Sequence, residues 1–307
     1  MIADPYQKVA EGAINWITAN LNKFDFREER GSNLIAELKP LGELALASKI
    51  VLLNQHDPTE WKIKSKEWLS YCWSQLHEGE ILRKAIETRK DFLLFTAMYA
   101  PFRQNDLINE QLEHAVRLKM ETSASSQQYP SWILLLIIRT LHVLGIDSPW
   151  KIDVCFRNTS LYQLPDVWTI RGFPSYVLTH TVFFLTDFGC RHQDLPEIHK
   201  QYLILNMPLW LEHYRITQNF DLFAEMIMVA RCIRMEDQKD WGSVLLARQQ
   251  SDGMVPTARM KGDKSDSEAE RFRHHYHSTL TALMASVMSL NVPSMAVLGE
   301  TGLNPMS

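Results

Sequence analysis

The chain has 307 residues, a formal net charge of −4, and 46% apolar against 22% charged residues. That length allows one large domain or two small ones, and the balance is that of a folded globular protein. An acidic net charge with a pI near 6.3 excludes a dedicated nucleic-acid binder, which carries a basic face. The longest apolar run, Trp132–Ile138, is too short to cross a bilayer, so no membrane partner is expected. Cys72, Cys155, Cys190 and Cys232 form no CxxC pair, which excludes a zinc ribbon or a thioredoxin-type motif. Sparse cysteines and an N-terminus without a signal-peptide apolar region predict a cytoplasmic location.

Taken in order, the segments read as helices. Pro5–Leu21 follows Asp4 and places Val9, Ile14, Ile17 and Leu21 at helical spacing. Asn33–Leu53 repeats the pattern with Leu34, Leu38, Leu41, Ala45 and Leu52, and Pro40 predicts a kink or split. Helices follow over Trp61–Leu76, Gly79–Thr96, Leu107–Lys119 and Pro130–Leu144, and Asp153–Arg157 reads as a short extended piece. Pro174–Asp187, Pro208–Thr217, Asp221–Met235, Trp241–Arg248 and Tyr276–Leu290 complete the set. Pro130, Pro174 and Pro208 each suit a first turn, and Gly145 and Gly189 each suit a stop. Three segments break the rhythm: the polar loop Glu121–Tyr129, the aromatic Arg157–Gly172, which suits a lid or cavity rim, and the charged Pro256–Arg271. No alternating run is long enough for a strand, so the expected class is all-α. The expected organisation is one domain over 1–307, with a subdivision near residue 122 as the alternative.

Three of these helices carry ionisable groups on apolar faces. In PSYVLTHTVFFLTDFG, His180 and Asp187 lie seven residues apart and differ by about 20° around the axis. Burying such groups costs free energy unless a partner or a function compensates. Asp187 also falls in the last helical turn, where the macrodipole disfavours a carboxylate; an ion pair with Arg191 or His192 is its structural alternative. In NFDLFAEMIMVARCIR, Asp221 suits a first turn, while Glu225 lies on the stripe of Leu222, Met228 and Val229. A buried glutamate suits a general acid; a salt bridge to an arginine of an adjacent helix is the alternative. In HHYHSTLTALMASVMSL, His277 shares a face with Leu280, Thr281 and Met284, and Tyr276 can donate a hydrogen bond; His274 and His275 are assigned to the preceding loop. The three helices are expected to wall one polar site.

The C-terminal residues also carry a resemblance. Gln249-Gln250-Ser251-Asp252-Gly253 followed by Tyr276-His277-Ser278-Thr279-Leu280-Thr281-Ala282-Leu283 resembles the last hairpin of the α/α-toroid superfamily, which contains protein prenyltransferase β subunits and terpenoid cyclases. The THxxFxxTDFG stretch resembles uncharacterised bacterial toroid-type proteins. The resemblance implies antiparallel helical hairpins closed into a toroid with a central cavity. It also implies that His277 matches the zinc-ligating histidine of the prenyltransferases. The DxDD acid motif of squalene-type cyclases is absent, as are GxGxxG, P-loop, GxSxG and HExxH motifs.

Together these readings predict an enzyme of bacterial specialised metabolism, with His180, Asp187, Asp221, Glu225, Tyr276 and His277 in its site. It would perform acid–base or metal-assisted elimination, isomerisation or cyclisation on a small molecule or peptide. In the metal-dependent form, His180, Asp187 and His277 are the expected ligands to zinc or iron. The competing class is a noncatalytic helical-repeat adaptor for a peptide or partner protein. A homodimer is left open.

Overall fold

The computed structural model describes residues 4–26, 33–54, 58–235, 240–257 and 267–290. Among these residues there are thirteen α-helices and no strand, in agreement with the all-α expectation. None of the described helices is long and apolar enough to cross a membrane.

Helix α1 spans Pro5–Ala19, with the Asp4 side chain accepting from the Tyr6 N–H and Pro5 in the first turn. Helix α2 (Leu34–Leu53) runs unbroken through Pro40, so the predicted split does not occur; a proline this early in the helix frees only the Ala36 carbonyl. Helix α3 spans Thr59–Gln75. The single helix expected over Gly79–Thr96 is two, α4 (Glu80–Thr88) and α5 (Phe92–Arg103), because Arg89 turns extended and its guanidinium bonds Asp91, the cap of α5. Helices α6 (Glu110–Ser123) and α7 (Ser131–Val143) follow. The predicted extended piece is helical instead: α8 covers Ile152–Arg157, with Asp153 in its first turn and Arg157 in its last.

Helix α9 spans Phe173–Thr186 with Pro174 in its first turn. Helix α10 (Glu197–Thr217) is longer than predicted: Pro196 caps its start and Pro208 lies in its interior. Helices α11 (Phe220–Cys232) and α12 (Trp241–Leu246) are followed by α13 (Glu268–Leu290). Helix α13 begins well before Tyr276, so His274 and His275 are helical rather than part of the loop. The reason is its first turn, where Glu268 and Glu270 favour a helix start and Ser267 bonds Glu270. Residues 258–266 of the charged segment expected over Pro256–Arg271 lie outside the described residues. The segment Arg157–Gly172 is fastened to α10: Tyr202 donates to the Pro165 carbonyl and Trp210 to that of Val167.

Helix α1 packs on α13, α12 and α3, and α13 packs in turn on α11 and α2. Further contacts join α2 to α5, α5 to α7, α7 to α9 and α9 to α11, while α3, α4, α8 and α10 lie respectively against α2, α5, α7 and α11. Every residue of α11 is buried, as is Ser278–Met288 of α13. These two helices are enclosed on all sides, and such helices are ordinarily apolar all round.

The Gln249–Gly253 turn joins the two ends of the chain. Gln249 Nε2 donates to the carbonyls of Val9 and Gly253, and Asp252 accepts from the Met254 N–H. Gly253 has φ +94°, and a Cβ there would stand 2.0 Å from the Gly12 carbonyl oxygen. Two other turns repeat one another. His77, Glu78 and Gly79 are all left-handed, as are Asp187, Phe188 and Gly189. In each the second residue's N–H reaches back five residues, Glu78 to Trp73 and Phe188 to Phe183.

Candidate functional site

Four helices bring ionisable groups to one place. Asp221 and Glu225 are one turn apart on α11, His277 comes from α13, His180 from α9 and Glu43 from α2. His277 Nε2 lies 3.3 Å from Asp221 Oδ1 and 3.8 Å from Glu225 Oε1. One ligand atom from each of Asp221, Glu225 and His277 falls within 4.8 Å of the others. The two acids are almost wholly buried, whereas the side chains of His180 and His277 keep 29% and 27% of their surface exposed. The carboxylates therefore form the floor, and the imidazoles connect it to solvent.

Each group is held by a second one. His277 Nδ1 lies 2.9 Å from Glu43 Oε2, and Lys39 pairs with the same carboxylate from the outer side. His180 Nδ1 lies 2.8 Å from the Tyr176 carbonyl four residues earlier. Because that carbonyl can only accept, His180 carries a proton on Nδ1. Glu225 accepts from Thr179 at 2.5 Å, and its Oε2 is 3.8 Å from His180 Nδ1. Asp221 accepts from the Tyr176 hydroxyl at 2.6 Å and from Thr281 at 3.3 Å. The cap of α11 is Asn219, so Asp221 is released from capping and directs its carboxylate into the cluster.

The electrostatics follow from three carboxylates converging on one imidazole. Burial opposes charging of His277, but the Glu43 and Asp221 carboxylates outweigh it and hold its pKa well above the ordinary imidazole value. Burial pushes Asp221 up, with His277 drawing it down and Glu225 adding to the rise. For Glu43, burial is outweighed by His277 and Lys39, and the carboxyl is held low. Tyr276 is raised by burial and by Glu43, with which it shares a hydrogen bond.

The structure thus brings together five of the six residues singled out in the sequence: His180, Asp221, Glu225 and His277 in direct ionic or hydrogen-bonded succession, and Tyr276 through Glu43. Asp187 stands apart from that succession. It caps the C-terminus of α9 in a left-handed conformation and pairs with Lys49 of α2 at 3.2 Å. The unfavourable charge at a helix C-terminus is answered by this buried lysine rather than by Arg191 or His192. Glu225 has two imidazoles and a threonine in place of the expected arginine. Glu43 was missed, although it sits between Leu41 and Leu44 much as Glu225 sits among Phe223, Ala224 and Met226.

The donor set fits a divalent transition-metal ion. Donors about 2.1 Å from a tetrahedral ion stand about 3.4 Å apart; the three donors here, from Asp221, Glu225 and His277, include separations of 3.3 and 3.8 Å from His277 Nε2 and leave a fourth position open. A metal-bound imidazole characteristically gives its other nitrogen to a carboxylate or a backbone carbonyl. Glu43 supplies that carboxylate to His277.

A family model described as Domain of unknown function (DUF6895) matches residues 10–287, a span that includes every residue of the cluster, and the chain belongs to that family. No curated protein and no solved structure matches it.

Proposed function

We propose that this chain is an α/α-toroid enzyme that performs metal-assisted acid–base chemistry on a small molecule or peptide. The toroid reading is supported by the succession of helix contacts from α13 through α2, α5, α7, α9 and α11 and back to α13, and by the origin of all five cluster residues on those helices. The reading departs from the sequence expectation in its ligands, which are Asp221, Glu225 and His277, with no role for Asp187.

One observation carries the chemistry: His277 is oriented through Nδ1 by Glu43, while its Nε2 faces two buried carboxylates. Charge balance supports a cation there. Asp221, Glu225 and Glu43 set three carboxyl groups against Lys39 and the His277 imidazole, a balance that protons or a bound metal ion would complete. A bound divalent ion supplies a Lewis acid that polarises a substrate oxygen or acidifies a water molecule. Zinc and iron suit a mixed imidazole–carboxylate set. In this scheme Glu43 and Thr179 fix His277 and Glu225. His180, held through Nδ1 by the Tyr176 carbonyl and part-exposed, is the group that accepts a proton from the substrate through Nε2. Proton removal next to a polarised oxygen is the common first step of elimination, isomerisation and cyclisation.

The test is elemental analysis of protein purified without a metal-affinity tag, together with calorimetric titration of zinc and iron(II). One equivalent in the wild type, lost in His277→Ala and in Glu225→Gln while the far-UV spectrum is unchanged, is the expected result. A folded wild type that takes up neither ion would overturn the metal-assisted reading.

A further inference from the structure

Helix α10 carries an apolar stripe on its outer face. Ile198 is 61% exposed, Leu205 76%, Leu209 48% and Ile216 65%. At 100° per residue these four fall within an arc of about 40°, along about 27 Å of helix. The opposite face, with Leu203, Met207, Trp210, Leu211 and Tyr214, is the buried one, so the stripe is a second apolar face on a helix that already has its core contact. Single exposed apolar residues are ordinary; four in line are a contact surface.

The spacing indicates what covers it. The intervals are seven, four and seven residues. Reversing the helix end for end about Met207 places Ile198 on Ile216 and Leu205 on Leu209. A pattern that maps onto itself under reversal suits an antiparallel copy of the same helix, which is the arrangement a two-fold axis produces. The 7-4-7 spacing follows the heptad register of a coiled-coil seam, with Tyr202 and Glu212 at the two intervening positions. Charge agrees with this direction: the exposed Glu197 starts the helix and the exposed Arg215 ends it, each bonded only within its own helix to Lys200 and Glu212. Eighteen residues apart, Glu197 and Arg215 lie on the same flank of the stripe, so antiparallel packing sets Glu197 of one copy beside Arg215 of the other, whereas parallel packing sets like against like.

We propose that the protein is a two-fold symmetric homodimer whose interface is the antiparallel pairing of α10 through Ile198, Leu205, Leu209 and Ile216. This does not depend on the metal site, which lies on other helices.

The test is the solution mass of the full chain by light scattering and sedimentation equilibrium at micromolar concentration. The wild type is expected at twice 35.6 kDa, and the double variant Leu205→Glu/Leu209→Glu at the monomer mass with an unchanged far-UV spectrum. Direction is tested by oxidative cross-linking in a Cys190→Ser background. An equimolar mixture of Leu205→Cys and Leu209→Cys proteins is expected to yield more disulfide dimer than either alone. A wild-type monomer, a dimer untouched by the glutamates, or cross-linking no better in the mixture than in the single variants would each overturn the proposal.

Discussion

Glu43 shows how much a single side chain outside the ligand set controls. It makes no hydrogen bond or ion pair with Asp221 or Glu225, yet it fixes the ring of His277, the imidazole that faces both. Glu43→Gln keeps the shape and a hydrogen-bonding group but removes the charge, and it is expected to weaken zinc or iron(II) binding about 10- to 100-fold; calorimetric titration measures this, and unchanged affinity would deny Glu43 its orienting role. A different kind of control sits at Gly253, where φ is positive and the Gly12 carbonyl leaves no room for a methyl group. Gly253→Ala is expected to cost about 2 kcal/mol or more in urea unfolding, since the backbone of α1 or of the turn must shift. His180, Asp221, Glu225 and His277 were legible in the sequence because ionisable residues on apolar stripes need a reason to be there. Glu43 showed the same local signal, but it becomes informative only beside His277, which lies 234 residues away. Asp187 misled for the same reason: its compensating charge, Lys49, comes from a helix that periodicity cannot place next to it.

At the level of elements, the junction of α7 and α9 depends on Arg139. Its guanidinium donates to the Phe184 and Leu185 carbonyls at the end of α9 and to Asp194 at 2.5 Å. It satisfies carbonyls that a helix terminus leaves open and puts a cation where the helix dipole favours one. Arg139→Met is expected to lower stability by about 2–4 kcal/mol, because it strands two carbonyls and leaves Asp194 with Arg191 alone; the urea midpoint reads the change. Burial raises the Asp194 carboxyl, but Arg191 and Arg139 outweigh it, so its folded pKa lies below the ordinary 3.8. A depressed carboxylate stabilises fully above that ordinary value and loses the contribution as pH falls through the folded one. Asp194→Asn should therefore melt lower than the wild type at pH 7, and the gap should close as the pH is taken below about 3.8. A gap that persists in acid would point to packing rather than charge. Helix positions were largely readable from the 3.6-residue period; helix ends were less so. The break at Arg89 and the early start of α13 depend on side chains bonding nearby residues, and the length of α10 depends on neighbours that tolerate Pro208.

Across the whole molecule, contacts ignore the polar loop near residue 122. Helix α1 packs on α13, α2 on α13, and α5 on α7. Urea unfolding followed by far-UV dichroism and by tryptophan fluorescence should give coincident curves, the sign of one cooperative unit; two separated transitions would restore the subdivision. The same arrangement bears on the order in which the protein comes into being. Contacts that join distant parts of a chain form late, and domains fold as synthesis delivers them. The carboxylate floor on α11 and the helix that Glu43 stands on are both made before His277 leaves the ribosome. Until α13 arrives, α1 and α2 lack their largest shared partner, and Asp221 and Glu225 lack His277. A ribosome-bound chain arrested before Glu268 would thus lack the imidazole that faces Asp221 and Glu225, and the last of the described helices is the one that completes the cluster.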